Sequence, residues 1–270
     1  MTTRQRFSIQ AGAVLLMLAG SACGANAAQC SSSGGGFEGW KEDFASEARA
    51  HGVGEAGISA LMNTHYSTAT IGADRGQKSF KLSLDQFMKK RGASTIVARG
   101  RQLKRSQAAL FASLERRYGV PPGPLLAIWG METGFGAIHG NQHALSAVAT
   151  LAYDCRRSAY FTDQLYAALE LIDRGAISPN ARGSMHGEIG QTQFLPKNIL
   201  QYGTGGNLDN AGPALAATAN FLHAHGWQAG AGYQPGEANF AAIQAWNAAT
   251  VYERAIAIIG QQIDSDGAAE

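Results

Sequence analysis

From Phe37 to about residue 263, apolar residues recur every three or four positions almost without a break. No stretch alternates apolar and polar residues for long enough to read as an ordinary strand. A chain with that pattern buries its apolar stripes by packing helix on helix, so the expected fold is mainly α with few short strands. Phe37, Trp40 and Phe44 share a face over 37–51, and Gly52 follows as a stop. A short helix is expected over 55–63, then a loop with one helix around 82–90 in the less regular stretch 64–100. A single amphipathic helix is expected over 101–118, with Leu103, Leu110, Leu114 and Tyr118 along one side. Pro121, Pro122 and Pro124 then restart the chain, because proline is tolerated in a first helical turn. Further helices are read at 143–153, 158–173, 194–202, 212–225 and 248–263. Together they make one domain over 37–265, and 45% hydrophobic residues exclude a disordered chain. A net charge of +2 is no footprint for nucleic acid, so no nucleic-acid partner is expected.

The first 28 residues carry a different signal. Arg4 and Arg6 precede an apolar run over 11–22, and small residues follow, with cleavage sites after Ala27 or Ala28. This is the layout of a secretory signal peptide, and the run is too short for a comfortable membrane span. A periplasmic location is the expectation. The competing reading, a lipoprotein anchored through Cys23, is weakened by Gly20, which stands where a branched aliphatic residue is expected. Loss of Cys23 leaves Cys30 and Cys155 in an oxidising compartment, where a disulfide between them is expected; a free, buried Cys155 is the alternative. Residues 29–36, containing SSSGGG, read as a flexible leader.

Chemistry concentrates in PLLAIWGMETGFG, residues 124–136. Leu125, Ile128 and Trp129 fall at helical spacing and Glu132 continues their face, so a stripe that must point inward ends in a carboxyl. An ionised carboxylate in such a place is costly, and its pKa should rise. A carboxylic acid still protonated near neutral pH is what a general acid needs to protonate a glycosidic oxygen. The alternative is a helix-end carboxylate paired with Arg156 or Arg157.

WGMETGFGAIHGN (129–141), ATLAYDCRRSAYF (149–161), GSMHGEIGQTQFLP (183–196) and TANFLHAHGW (218–227) form an ordered series. In it an E-T-x-x-G turn precedes a G-x-x-Q-x-x-P block. The series resembles the membrane-bound lytic murein transglycosylase B family, a branch of the lysozyme-like superfamily, from about Phe37 to Gln262. The resemblance implies a lysozyme-like helical catalytic domain that acts on peptidoglycan glycan strands. It implies cleavage of the β-1,4 bond between N-acetylmuramic acid and N-acetylglucosamine without water, leaving a 1,6-anhydromuramoyl end. Glu132 matches the family's single catalytic glutamate, acid first and base second, whereas ordinary glycosidases divide those roles between two carboxyls. Ser184 and Gln193 match cleft-lining residues, and Trp246, Asn247 and Tyr252 match a family strip in which aromatic faces stack on sugars. Arg156 and Arg157 match a paired arginine that would hold Glu132 or meet substrate carboxylates; a helix-entry salt bridge is the other reading. Tyr202 and Phe221 read as core rather than as subsite walls.

Departures from the family pattern sharpen these expectations. The stretch 201–212 has one aspartate where some members carry an acidic calcium loop, so no metal and no cofactor is expected. His139 with His143, and His223 with His225, come without an acidic or thiolate cluster that would suggest metal. Few residues separate Trp227 from Trp246, which predicts a more open cleft wall. Glu188 stands where the family usually has a small residue and is expected to be a solvent-facing loop carboxylate. The functional alternatives are a hydrolytic muramidase using Asp154, Asp163 or Glu188 to activate water, and an inactive murein-binding protein that kept the fold. A monomer is expected.

Overall fold

The computed structural model describes residues 28–76 and 82–265. The expected signal peptide, its cleavage sites and Cys23 therefore lie outside the described residues, apart from Ala28. Within them the chain forms thirteen α-helices. These are α1 (Phe37–Ala50), α2 (Glu55–Met62), α3 (Thr68–Arg75), α4 (Leu84–Arg91), α5 (Ala93–Ser106), α6 (Ala108–Tyr118), α7 (Pro122–Thr133) and α8 (Ala144–Tyr153). They continue as α9 (Ser158–Asp173), α10 (Pro196–Tyr202), α11 (Ala211–Ala224), α12 (Phe240–Trp246) and α13 (Thr250–Asp264). Strands β1 (Gln142–His143) and β2 (Arg182–Gly183) pair antiparallel, with Gln142 opposite Gly183. The mainly helical reading holds, and the short strands sit where two loops meet beside α8.

Two apolar clusters organise the helices. The larger gathers α4, α5, α6, α7, α11 and α13 around residues such as Phe87, Leu126, Ile128 and Ile256. The smaller gathers α1, α2, α8 and α9 around Phe37, Phe44, Leu61, Val148 and Leu165. Helices α7 and α13 approach so closely that a Cβ on Gly123 would strike the Gly260 carbonyl. Lys41, 2% exposed, reaches from α1 to the carbonyls of Met62 (2.9 Å) and Thr64 (2.8 Å), satisfying the orphan end of α2.

Three local expectations need correction. The single helix over 101–118 is two helices, α5 and α6, broken at Gln107, whose backbone (φ −117°) leaves the helical region. Leu103 thus belongs to α5 and the other three residues to α6. The apolar spacing runs through the break because both helices face one core; neither glycine nor proline marks it, and α5 follows α7 and α13 while α6 turns toward α11. Helices α3 and α12, and the start of α5, lie in stretches read as loop. The leader 29–36 is tied down rather than loose. Ser31 N donates to Tyr153 O at 2.9 Å, and Cys155 N donates to Ser31 O at 3.3 Å. Gly34–Gly36 forms a 3-10 turn in which a Cβ at Gly34 would strike the Tyr66 ring and one at Gly36 would crowd the Tyr153 hydroxyl. Cys30 and Cys155, 125 residues apart, form the expected disulfide at this junction.

Candidate active site

Helix α7 is clamped at both ends. Pro122 and Pro124 open it, and the Gly123 amide donates to Asp264 Oδ1 at 2.8 Å, so a carboxylate sits at the helix N-terminus. At the far end Gly134 (φ 59°) takes the left-handed cap position, and Phe135 (φ 61°) and Gly136 (φ 85°) continue the turn. The Thr133 hydroxyl donates to Gln191 O at 2.7 Å, and Trp129 Nε1 donates to Gln191 Oε1 at 2.7 Å. Gln191 Nε2 in turn donates to Asp209 O at 2.7 Å. The E-T-x-x-G turn and the G-x-x-Q-x-x-P block are therefore one hydrogen-bonded unit, joined through buried Gln191. Sequence reading missed Gln191, since an amide beside the Gly190 that opens the block carries no signal of its partners.

The clamp presents Glu132 to a cleft of about 570 Å³. Tyr252 Oη donates to Glu132 Oε1 at 2.6 Å, and Trp246 Nε1 donates to the same oxygen at 3.4 Å. Oε2 receives neither of these donors. Burial raises the Glu132 pKa to about 7; the Tyr252 hydrogen bond pulls the other way, and the charge of Glu188 adds to the rise. The position in the last turn of α7 acts in the same direction, because the negative end of the helix dipole disfavours a second negative charge. Burial, with the neighbouring Glu132 charge, likewise pushes Tyr252 well above the ordinary phenol value, so it serves as a donor. Arg91, missed in the sequence, lines the cleft with its guanidinium 5.7 Å from the Tyr252 ring centroid.

The remaining residues singled out in the sequence divide. Gln193, Arg157, Trp246, Asn247 and Tyr252 all line the cleft with Glu132. Gln193 has φ 55°, an uncommon value for a residue other than glycine, and is held by the reciprocal Ile189–Phe194 backbone bonds at 3.0 Å. Trp246 stands edge-on to Phe194 (5.1 Å) and Phe221 (5.2 Å). Asn247 Oδ1 accepts from the Ala249 amide at 3.0 Å, turning the chain into α13. Phe221 is a buried core residue, as read, and half-buried Tyr202 packs against the same core; both also line the cleft. Around the same cleft stand Tyr160, which the sequence did not mark, and His186 and His225.

Ser184 does something other than expected, and the arginine pair follows its salt-bridge reading. The Ser184 hydroxyl donates to Glu188 Oε2 at 2.7 Å instead of facing an open sugar site. Glu188 is correspondingly half-buried and lines the cleft, not a solvent-facing carboxylate. Arg156 and Arg157 both grip Asp74, at 4% exposure, so neither holds Glu132. Arg157 also lies over the Phe161 ring at 4.7 Å. Asp74 sits on α3, inside the stretch read as irregular, and had no signal in the sequence. The other carboxylates considered for activating water are placed elsewhere. Asp154 is buried against Arg75 (2.6 Å) and the Arg156 amide, and exposed Asp163 pairs with Lys197 at 2.7 Å.

A larger groove of about 840 Å³ lies between the end of α9 and residues 203–209, but Asp209 is its one lining carboxyl. Glu132 and the aromatic and amide side chains around it line the smaller cleft instead. Among the described residues no group of three or more His, Cys, Asp or Glu is placed to hold a metal. No helix among them is long and apolar enough to cross a membrane.

Residues 36–235 match the transglycosylase SLT domain family. Over 121 residues the chain is 37% identical to membrane-bound lytic murein transglycosylase B of Escherichia coli strain K12, a match covering 42% of this chain and 34% of that protein. The match thus spans about a third of the length of that relative. The structure is similar to SltB3 from Pseudomonas aeruginosa in complex with NAG-NAM-pentapeptide, with a TM-score of 0.78 and 26% identity over 84% of this chain and 79% of that one. It shares its fold with Slt35 of Escherichia coli in complex with bulgecin A, at a TM-score of 0.72 and 23% identity over 85% of this chain and 94% of that one. The lysozyme-like helical architecture expected from the sequence is the one the chain adopts.

Proposed function

The chain belongs to the transglycosylase SLT domain family, and from that premise we propose that it is an exported peptidoglycan lytic transglycosylase with Glu132 as its catalytic carboxyl. The observation that carries this reading is the state of Glu132: a cleft carboxyl with a pKa near 7 whose Oε1 is tied by Tyr252 and Trp246. With Oε1 occupied, the transferable proton sits on Oε2. Protonated Glu132 gives that proton to the oxygen linking muramic acid C1 to the next sugar, and the C1–O bond breaks. The leaving glucosamine departs as an alcohol, with the muramoyl acetamido oxygen assisting. Glu132, now a carboxylate, takes the proton of the muramoyl 6-hydroxyl as O6 bonds to C1. The anhydro ring closes, Glu132 ends as it began, and no water enters.

The cleft's other groups serve binding. Trp246, Tyr202 and Tyr160 offer aromatic faces to sugar rings, while Gln193 and Asn247 supply amides for acetamido and hydroxyl groups. Such a lining suits neutral amino sugars, and Arg91 adds a site for a substrate carboxylate. Export rests on the N-terminal signal pattern together with a disulfide, which persists in an oxidising compartment. The test is digestion of purified sacculi followed by identification of the new chain ends. Every new C1 terminus is expected to be 1,6-anhydromuramoyl, with the 4-hydroxyl of glucosamine as the other new end. New C1 termini on glucosamine, reducing muramic ends, or no soluble fragments would overturn the proposal.

A further inference from the structure

Glu188 is the second carboxyl lining the cleft, and the single-carboxyl mechanism leaves it without a role. The loop that carries it is stapled at this point. Ser184 N donates to Glu188 O at 2.8 Å, and Glu188 N donates to Ser184 Oγ at 3.2 Å. His186 N also donates to Ser184 Oγ, at 3.0 Å. A hydroxyl that accepts from two amides has one proton left, and it goes to Glu188 Oε2 at 2.7 Å. Glu188 is thereby held as an acceptor, with its carboxyl fixed toward the loop. The loop has no room to shift, because a Cβ on Gly187 would strike Val148 of α8, and one on Gly183 would strike the Glu188 carbonyl. A fixed negative charge therefore shares the cleft with the proton donor.

Charged and titratable groups reach Glu132 from several elements. Tyr252 of α13 donates to it, Trp246 of α12 donates more weakly, and Arg91 at the end of α4 opposes a raised pKa. Arg157 and Tyr160 of α9, His186 of the stapled loop and His225 of α11 line the same cleft. Arg157 is engaged by Asp74, so it is not free to neutralise Glu188. Glu188 is the one other carboxylate in the cleft among the described residues.

We propose that Glu188 is a positioning residue for charge: fixed in the cleft by Ser184, it repels a negative charge on Glu132 and extends to higher pH the range over which Glu132 carries its proton. The inference rests on the reading of Glu132 as the proton donor. The repulsion from Glu188 adds to burial in raising the Glu132 pKa.

The test follows the carboxyl carbon of Glu132 by NMR titration, assigned from its loss in E132Q, in wild type, E188Q and E188D. In E188Q the midpoint is expected to fall by about 0.5–1 pH unit, while E188D, which keeps the charge, stays within about 0.3 unit of wild type. The alkaline limb of lytic activity should follow, so E188Q loses roughly 3–9-fold activity at pH 8 and less than about 2-fold at pH 6. S184A removes the staple and leaves the carboxyl; it should lower the midpoint partway, and it decides the question if E188Q does not fold. An unchanged or raised Glu132 midpoint in the folded variants would overturn the proposal. So would equal loss of activity at every pH with no shift in midpoint, since that would make Glu188 a participant in the chemistry. The titration needs no turnover, so an inactive wild type would reject the proposed function and leave this test standing.

Discussion

Glu132→Gln is expected to slow glycan cleavage by at least about a thousandfold, because the general acid and the later base are lost together. The same substitution should make the protein more stable at pH 8. The folded pKa of Glu132 is raised from its ordinary 4.5 to about 7. The folded state therefore holds more proton than the unfolded state between those values, and stability declines as the pH rises through that window. Above it the wild type carries the full cost of an ionised carboxylate in a crowded site, on the order of 3 kcal/mol. A neutral amide avoids that cost and still accepts from Tyr252 and Trp246. Denaturant melts at pH 5 and pH 8 check this: the gain should be present at pH 8 and shrink toward pH 5. Equal stability at both pH values would mean that Glu132 titrates normally.

Asp74→Asn is expected to cost about 2–3 kcal/mol, less than for a wholly buried ion pair because both arginines keep solvent contact. Burial pushes the Asp74 pKa up, but the hydrogen bonds and charges of Arg156 and Arg157 outweigh it and hold it below the ordinary value. That contribution is present at neutral pH and is lost as the pH falls through the folded pKa, so wild type and variant should converge in acid. Arg157 lines the cleft, and its release should also raise KM while changing kcat little. Denaturant melts across pH, with initial rates on sacculi at two substrate loads, measure both effects. A variant as stable as wild type at pH 7 would show that the pair contributes nothing net.

Asp74 also marks where the sequence stops being legible. Glu132 was readable because helical spacing alone puts it on a face with Leu125, Ile128 and Trp129, and the environment that raises its pKa follows from that placement. The two motif blocks were readable as blocks, yet their joint, Gln191 between Trp129 and Asp209, spans side-chain bonds across some sixty positions that no local pattern encodes. The arginine pair was visible, but its partner lies more than eighty residues away on α3, a short helix of weak apolar spacing. Ser184 was assigned to the cleft by its motif, and the departure at Glu188 explains why its hydroxyl faces a carboxylate instead. Helices α5 and α6 read as one because a shared core imposes one apolar stripe on both. Periodicity reports which side of a segment is buried, and it says little about where the chain bends or which polar group a distant element supplies.

In the proposed mechanism one carboxyl closes an anhydro ring without admitting water, although Glu188 shares the cleft and would be the natural group to activate one. Digestion of sacculi in ¹⁸O-labelled water, with mass spectrometry of the released muropeptides, tests this most directly. The account predicts 1,6-anhydromuramoyl ends that carry no label. Reducing muramic ends that contain ¹⁸O would contradict it.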